Sequence, residues 1–316
     1  MTNQSRWATS PFTERDIPDL HGKTVLITGA TGGLGFEMAR MLAGAHARVI
    51  LAGRDGQKGR DALARIRALV PEADIVFEQV DLGNLLSIRD MSSRMVRSAL
   101  PIDILINNAG VMMPPARKTT ADGFELQFGT NHLGHFALNG LLLPSLVAAK
   151  GARVVTVASK AANSGRIHFG DLQFEKRYRA IASYAQSKLA NLLFMRRLQQ
   201  LSDEHGWDIV STAAHPGYAR TDLIRNGPGQ FSGLLGAASA LIERFASNDA
   251  AAGALPAVVA AIGQGTRGYD YFGPIRMMEL KGPPGPAELP MRAQDDSVAQ
   301  RLWSVSEALT GVTYPP

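Results

Sequence analysis

The chain has 316 residues, enough to bury a full hydrophobic core, and its apolar content of 45% is ordinary for a soluble globular protein. Its formal net charge of +5 comes from Lys and Arg residues scattered along the sequence, without the basic run that a nucleic-acid surface would require. The absence of cysteine excludes disulfides, thiolate catalysis and cysteine-ligated metals.

The N-terminal segment MTNQSRWATSPFTERDIPDL lacks a basic region followed by an apolar one, so no signal peptide is predicted. No stretch reaches the ~18 uninterrupted apolar residues that suggest a membrane-spanning helix. We therefore expect a soluble, cytoplasmic protein with no membrane anchor, no nucleic-acid partner and a mild preference for anionic ligands.

Short β-branched segments alternate with longer segments of helical periodicity. The predicted strands are 24–28, 48–52, 74–80, 103–107, 153–159 and 208–214. The predicted helices lie near 34–43, 57–69, 85–99, 123–149 and 182–204. Near-continuous apolar strands separated by helices are typical of a parallel sheet covered on both faces. The sequence thus predicts an α/β fold with a doubly wound, Rossmann-like parallel sheet.

The segments outside this pattern suggest how the chain is organised. We predict an N-terminal arm over 1–19 and a single domain over 20–316. Within that domain, the Gly- and Ala-rich segment 222–250 is predicted to be a substrate lid, and 281–316 a C-terminal extension. In the extension, the run KGPPGPAELP separates the body from a last amphipathic helix, which Gly311 is placed to end.

A glycine-rich turn, TGATGGLG, follows the first predicted strand and precedes the first predicted helix. Its glycines include Gly29, Gly33 and Gly35. Glycine permits close backbone approach, and the N-terminus of the helix presents free N–H groups to a pyrophosphate. An ordinary strand-to-helix turn is the alternative, but the strand–glycine–helix order favours dinucleotide binding.

The second predicted strand ends at LAGRD, where this type of fold contacts the adenosine ribose of a dinucleotide. An acidic residue there would bind the 2′-OH of NAD, whereas an arginine accommodates the 2′-phosphate of NADP. Arg54 comes first and Asp55 follows at once. The cation at the strand end favours NADP(H) over NAD(H).

Tyr184 and Lys188 are four residues apart, so they share one face if the segment YAQSK is helical. An ammonium beside a phenol favours the phenolate and lowers the pKa of the tyrosine. Tyr184 would then be a usable acid or base near neutral pH. An amphipathic helix with one aromatic residue and one Lys is the alternative for this motif taken alone.

Two further pairs admit more than one interpretation. His132 and His135 have a spacing that metal ligands use, but neither Cys nor a nearby Glu completes a site, so a packing pair is favoured and no metal is predicted. Met112 and Met113 fit either the lining of an apolar pocket or core filling.

Four motifs occur in the order found in the short-chain dehydrogenase/reductase family, which the sequence resembles from about residue 20 to about residue 275. They are TGATGGLG, NNAG at 107–110, YAQSK at 184–188 and PGYART at 216–221. The segments TNHLGHF at 130–136, GRIHFGDLQFEKRY at 165–178 and YAQSKLANLLF at 184–194 resemble the retinol dehydrogenase and WW-domain oxidoreductase-like branch.

The resemblance implies catalytic roles for four residues. Tyr184 would be the general acid or base, and Lys188 would hold the nicotinamide ribose while lowering the pKa of the tyrosine. Ser159 would bind the reacting oxygen, and Asn131 would complete a proton relay through water to Lys188. Ser164 and Ser183 are competing candidates, but only Ser159 directly follows a predicted strand.

The resemblance also implies a set of cofactor-binding residues. In this set Asp81 would meet the adenine, Asn107 would line the cofactor and Thr221 would contact the nicotinamide amide. The implied set is Gly29, Thr31, Gly33, Leu34, Gly35, Arg54, Asp81, Leu82, Asn107, Ala109, Gly110, Tyr184, Lys188, Pro216, Gly217 and Thr221.

Together these features predict an NADP(H)-dependent oxidoreductase of the alcohol dehydrogenase or carbonyl reductase type. The Leu, Phe and Ile content of the predicted lid suggests a hydrophobic ketone, aldehyde or alcohol as substrate. An epimerase or dehydratase on the same fold and a non-catalytic NADP(H) sensor are the alternatives. The resemblance also makes a homodimer or homotetramer plausible, through the Leu-rich helix at 189–201 and the one before it.

Overall fold

The structure, a computed structural model, describes residues 12–217 and 250–315. Thr221 and the predicted lid, apart from Ala250, lie outside the described residues. Eight strands form one sheet: β1 Thr24–Thr28, β2 Arg48–Gly53, β3 Ile75–Gln79, β4 Ile104–Asn107, β5 Arg153–Val157, β6 Val210–Ala214, β7 Tyr271–Arg276 and β8 Lys281–Pro286.

Seven helices of eight residues or more lie in the described ranges. They are α1 Gly33–Gly44, α2 Gly56–Leu69, α3 Leu85–Arg97, α4 Gly134–Ala148, α5 Ala180–His205, α6 Ala250–Ile262 and α7 Asp296–Thr310. The left-handed Gly311 (φ 60°) ends α7, as the sequence predicts. None of the helices in these ranges combines the length and the apolar character needed to cross a bilayer.

The strand order is β3-β2-β1-β4-β5-β6-β7-β8, with parallel pairing from β3 through β7. This order confirms the predicted doubly wound α/β fold. Alternate residues of β1 face opposite sides of the sheet: Val25 and Ile27 pack in the core with α1, α2 and α6, whereas Leu26 packs in the core with α3 and α4. The order reverses between β1 and β4, which is where ligands bind in such sheets.

The last two strands were not predicted. Residues 281–286, KGPPGP, were expected to separate the body from the terminal helix, but they form β8, which pairs antiparallel with β7 at the edge of the sheet. Proline lacks the N–H that a regular central strand donates, so it is found mainly at such an edge or at an irregularity such as the register shift beside Pro274 of β7. The Pro- and Gly-rich composition of this segment therefore predicted a linker where the structure has a strand.

The helix predicted over 123–149 is interrupted. It begins with one helical turn, Leu126–Phe128, continues as a π-helical turn, Gly129–Leu133, and becomes regular only in α4. Such π-turns are often found at functional sites because they re-aim a side chain within a helix. Here the π-turn contains Asn131.

Two further features concern the described part of the predicted arm and the Leu-rich helix. Within the predicted arm, Phe12 and Ile17 pack against the core, and Glu14 forms a bidentate ion pair with Arg40 of α1 at 2.7 and 2.8 Å. The leucines of the 189–201 helix are buried within this chain itself. The predicted oligomer therefore gains no support from an exposed leucine face, and it stays a prediction.

Candidate active site

A cavity of about 1010 Å³ opens at the carboxyl ends of the strands, at the point between β1 and β4 where the strand order reverses. Its volume is at the upper end of the ~300–1,000 Å³ usual for small-molecule sites. Of the predicted cofactor residues, those that line it are Gly29, Thr31, Gly33, Leu34, Gly35, Arg54, Asp81, Leu82, Ala109, Gly110, Tyr184, Lys188, Pro216 and Gly217.

The glycine turn forms the floor of this cavity. Gly29 has φ +66°, and a Cβ on it would lie 2.9 Å from the Cα of Ala109, so both conformation and space require glycine. A Cβ on Gly35 would lie 2.6 Å from the Nδ2 of Asn108. Helix α1 begins at Gly33, and no side chain caps its N-terminus, so its first N–H groups remain available to an anion.

Two cations and one carboxylate follow β2 at one end of the cavity. Arg54 and Lys58 both line it. Asp55, the residue that complicated the cofactor prediction, caps α2 instead: its Oδ1 accepts hydrogen bonds from the backbone N–H groups of Gln57 at 2.9 Å and Lys58 at 3.1 Å. These bonds lower the pKa of Asp55, the Lys58 bond most, and they direct its charge toward the helix N-terminus.

At the other end of the cavity lie Ser159, Tyr184 and Lys188. Ser159 follows β5, and the other two come from the first turns of α5, so the predicted helical spacing is present. Tyr184 is 8% exposed and Lys188 4% exposed. The Nζ of Lys188 donates to the backbone carbonyl of Val157 at 2.9 Å and lies 5.9 Å from the centre of the Tyr184 ring.

The prediction that Lys188 lowers the pKa of Tyr184 is wrong for this structure. Burial raises the pKa of Tyr184 to about 12, and a hydrogen bond with Ser159 offsets only part of that rise. Burial also lowers the pKa of Lys188 to about 8. Desolvation is the largest cause of both pKa shifts, and the ammonium bonds to the carbonyl of Val157 rather than to the phenol.

Neither Asn131 nor Asn107 is among the residues that line the cavity, although Asn107 was predicted to line it; the predicted relay role of Asn131 stays a prediction. The Oδ1 of Asn131 accepts from the N–H of Val111 at 2.7 Å, and its Nδ2 donates to the carbonyl of Val111 at 3.0 Å and to Ser187 Oγ at 2.9 Å. Asn107 is turned inward, and its Oδ1 accepts from Asn139. Asn131 thus holds the segment after NNAG in place, and the following residue, Asn108, takes the lining position expected of Asn107.

The structure also distinguishes the alternatives left open for the two methionines and the three candidate serines, according to which of them line the cavity. Met112 and Met113 line the cavity, which favours the pocket interpretation. Ser164 and Ser183 do not line it; the former bonds to the carbonyl of Ala161, and the latter is buried. Ser159 alone of the three serines reaches both the cavity and Tyr184.

His132 and His135 are fully buried and bond to protein groups, as a packing pair would. Burial lowers the pKa of His132 to about 3 and that of His135 to about 4, so both are neutral at physiological pH. In the described ranges, one trio of possible metal ligands lies within 4.8 Å of one another, formed by Asp19, His21 and His46. All three are exposed and lie apart from the residues that line the cavity.

A charged cluster that was not predicted from the sequence joins the β7–β8 hairpin to the cavity wall. This hairpin cluster consists of Lys160, Glu279 and His215. Glu279 Oε2 lies 2.7 Å from the Nζ of Lys160 and 3.3 Å from the Nε2 of His215, and these partners lower the pKa of Glu279 to about 2. Lys160 lines the cavity, and Leu280 lines it beside Gly217. No local sequence motif predicts this cluster, because its three members are far apart in the sequence.

A Rossmann sheet, a glycine turn at its switch point and a Ser–Tyr–Lys group at the other end of the same cavity define a class of proteins, the Rossmann-fold oxidoreductases. Sequence comparison places the chain within that class. Residues 23–228 match the sequence profile of the short chain dehydrogenase family, and the chain belongs to that family.

Its curated relatives include retinol dehydrogenases. The chain is 40% identical over 297 residues to retinol dehydrogenase 12 of Homo sapiens, covering 93% of this chain and 88% of that protein. It is 37% identical over 305 residues to retinol dehydrogenase 14 of Mus musculus, covering 93% and 87%. These matches confirm the predicted resemblance to the retinol dehydrogenase branch.

Two solved structures are also similar. A crystal structure of an uncharacterised protein from Mycobacterium paratuberculosis is 38% identical, with a TM-score of 0.80, and the match covers 97% of this chain and all of that one. The active-site complex of RhlG with NADP from Pseudomonas aeruginosa is 27% identical with a TM-score of 0.53, covering 66% of this chain and 78% of that one.

Proposed function

We propose that the protein is an NADP(H)-dependent oxidoreductase that transfers a hydride between the nicotinamide and a hydrophobic ketone, aldehyde or alcohol. The observation that carries this proposal is one continuous cavity with the glycine turn and two cations at one end and Ser159, Tyr184 and Lys188 at the other. An oxidoreductase needs this combination, because the hydride must reach the carbon of a carbonyl group while the proton donor reaches its oxygen, so both must meet at the same carbonyl group.

Charge supports NADP(H) as the cofactor. Arg54 and Lys58 line the cavity end where the ribose of a dinucleotide would lie, and both can bind a 2′-phosphate. Asp55 does not oppose this, because its carboxylate is engaged by the N-terminus of α2. The similar structure from Pseudomonas aeruginosa is a complex with NADP.

The side chains supply the proton chemistry, while a bound nicotinamide supplies or accepts the hydride. Tyr184, with its pKa near 12, carries its proton at neutral pH and can donate it to the oxygen of a carbonyl as that oxygen gains charge. The hydroxyl of Ser159 can stabilise the same oxygen.

The lining near Tyr184 supports a hydrophobic substrate. Met112, Met113, Ile181 and Leu280 contribute apolar surface to the cavity, and Ile181 is 70% exposed. Burying such side chains against an apolar ligand would stabilise the complex. The curated relatives are retinol dehydrogenases, which makes a long apolar alcohol or aldehyde the first substrate class to test.

The direct test is NADPH consumption, followed by absorbance, against a panel of hydrophobic aldehydes and ketones. Tyr184→Phe should lower kcat by about 10²–10⁴ while leaving cofactor binding nearly unchanged, because only the proton donor is lost. Tyr178→Phe is the matched control: it removes a phenol that bonds to Pro114 and does not line the cavity, so turnover should persist.

The outcomes separate the alternatives. If the wild-type protein turns over substrate and Tyr184→Phe has the same kcat, the role of this residue is refuted. NADPH binding without consumption across the panel would favour a sensor, and substrate conversion without net NADPH oxidation would favour an epimerase or dehydratase.

Cofactor preference has its own test. Replacing Arg54 and Lys58 together with alanine should weaken NADPH binding by about 10-fold or more, since a charge-assisted hydrogen bond contributes about 1.5–3 kcal/mol, and it should leave NADH binding nearly unchanged. Arg60→Ala is the control: its guanidinium bonds to Gln57 and does not line the cavity. Equal losses for NADPH and NADH would contradict the assignment.

A further inference from the structure

His135 is a buried polar side chain between the sheet and the π-turn, and the proposed chemistry does not use it. It lies in the first turn of α4 and is 2% exposed. Its Nε2 is 2.8 Å from the Oγ1 of Thr28, the last residue of β1. Its Nδ1 is 2.9 Å from the backbone carbonyl oxygen of Asn131. One imidazole ring therefore joins the end of the first strand to the π-turn.

The hydrogen bonds determine which ring nitrogen carries the proton. A carbonyl oxygen can only accept, so Nδ1 must donate to Asn131 and must bear a hydrogen. Thr28 Oγ1 already accepts two bonds, from the backbone N–H groups of Asn108 at 2.9 Å and Ala109 at 3.0 Å. Both lone pairs of this hydroxyl are thus used. Its own O–H lies 2.8 Å from Nε2 of His135 and 3.3 Å from the carbonyl oxygen of Ile106, and it donates to the nearer Nε2. His135 is neutral, in the Nδ1–H form.

Both contacts of the ring lead to the same stretch of backbone. On one side, Thr28 holds the N–H groups of Asn108 and Ala109. On the other side, Asn131 holds both the N–H and the carbonyl of Val111. The segment 108–111 lines the cavity along its whole length. A single buried ring therefore links the Thr28 hydroxyl to the backbone of Asn131, the residue whose side-chain amide fixes the other side of this wall.

We propose that His135 is a positioning residue: as a neutral Nδ1–H imidazole, it locks Thr28 and Asn131 in the orientations that hold the cavity wall 108–111 against the cofactor. This inference rests on the proposed function, because the wall matters only if a dinucleotide binds there.

The surroundings of the ring keep it in this form. Burial, and secondarily the ammonium of Lys188, lower the pKa of His135 to about 4, while its bond to Asn131 acts in the opposite direction. The neighbouring ring of His132 is itself neutral at physiological pH, since burial lowers its pKa to about 3. A protonated ring would have to donate to Thr28 as well, whose lone pairs are both occupied.

His132 provides the matched control. It is also fully buried and lies three residues earlier, but its Nε2 bonds to Ser306 of α7, away from the cavity wall. Replacing either histidine with leucine removes a buried polar ring, so both variants should lose stability. Only the His135 variant should also loosen the segment 108–111.

The first experiment is ¹⁵N NMR of the histidine rings in the cofactor-free protein, with His132→Leu used to assign the signals. A proton on Nδ1 and an unprotonated Nε2 for His135 is expected. An Nε2–H ring, or a charged one at neutral pH, would overturn the proposed lock without reference to activity.

The second experiment measures NADPH dissociation constants by fluorescence titration, together with kcat. His135→Leu should weaken NADPH binding by about 10-fold, the effect of losing one buried hydrogen-bonded link, and should also lower kcat. His135→Asn should fall between it and the wild type. An asparagine amide can donate to the carbonyl four residues earlier, as Asn139 does to the carbonyl of His135 at 2.7 Å. It cannot replace Nε2 of His135, the atom that accepts the hydrogen bond from the Thr28 hydroxyl.

His132→Leu should bind NADPH within about twofold of the wild type at a comparable loss of melting temperature, because its effect is confined to packing. If the two leucine variants have equal NADPH affinities and kcat values, the positioning role is refuted while the proposed function stands. If the wild-type protein itself binds no NADPH, the proposed function fails, and the positioning role fails with it.

Discussion

Lys188→Met should make the protein more stable and inactive. The wild-type side chain places an ammonium group in the interior, 4% exposed, where its hydrogen bond to the carbonyl of Val157 does not compensate fully for lost hydration. Burial accordingly lowers the pKa of Lys188 from 10.5 to about 8. Methionine has a similar length and no charge, so it can occupy the same space without that cost.

The magnitude follows from the pKa. At about 1.4 kcal/mol per pH unit, the lowered pKa of Lys188 corresponds to about 3 kcal/mol of destabilisation at neutral pH. The variant also loses the hydrogen bond to the carbonyl of Val157, which lowers its free energy of unfolding by about 1 kcal/mol. Asn191 Nδ2 lies 3.4 Å from the same carbonyl oxygen, so that oxygen keeps one donor. The free energy of unfolding of Lys188→Met should therefore exceed that of the wild type by about 2 kcal/mol at pH 7.

The difference in stability between Lys188→Met and the wild type should depend on pH. Between pH 8 and pH 10.5 the unfolded wild-type chain binds more protons than the folded one, so the free energy of unfolding of the wild type rises with pH in that window. Below pH 8 both states are protonated and the full cost remains. The advantage of the variant should thus be greatest below pH 8 and should disappear as the pH approaches 10.5.

Denaturant titrations of both proteins from pH 7 to pH 10.5 measure this difference. Lys160→Met is the control, because that ammonium is ion-paired with Glu279 and its loss should not stabilise the fold. A Lys188→Met protein that is less stable than the wild type, or equally more stable at every pH, would refute the reasoning.

Three other predictions concern the neighbourhood of the cavity. Asp55→Ala should lower the free energy of unfolding through loss of the α2 cap, and it should leave the preference between NADPH and NADH unchanged; a shift toward NADPH would show a ribose contact instead. Glu279→Gln should lower the melting temperature at neutral pH by weakening the hairpin cluster. That difference should fade as the pH falls from 4.5 toward 2, where the wild-type carboxylate becomes protonated; a difference constant across acid titration would argue against the ion pairs. Gly35→Ala should abolish NADPH binding, measured by titration, because its methyl group would meet the Asn108 amide at 2.6 Å.

Local patterns in the sequence were sufficient for six of the eight strands and for much of the cavity. Strands β1, β2 and β4 are largely apolar segments buried on both faces, so each can be predicted as a strand from its own residues. The glycine turn and the Tyr184–Lys188 pair are likewise local, since a strand-to-helix turn and a four-residue helical spacing each fit within one short segment.

Tertiary structure alone decided which polar groups face the cavity and how they titrate. The sequence places Arg54 and Asp55 side by side, but only the start of α2 shows that the carboxylate caps a helix. In the same way, Asn107 and Asn108 are equivalent by motif, and the packing of Asn139 against the former turns it inward. The high pKa of Tyr184 results from burial by several elements, which a spacing rule does not report.

The bond between His135 and Thr28 joins residues 107 positions apart, and the hairpin cluster draws Lys160 to a partner 119 positions away. Periodicity and turn chemistry act over a few residues, so the sequence by itself determined the first six strands and the doubly wound class of the fold, but not β7, β8 or the π-turn. Hydrogen-bond counts, desolvation and the orientation of side chains depend on atoms brought together from distant segments, and these were decided only when the chain folded.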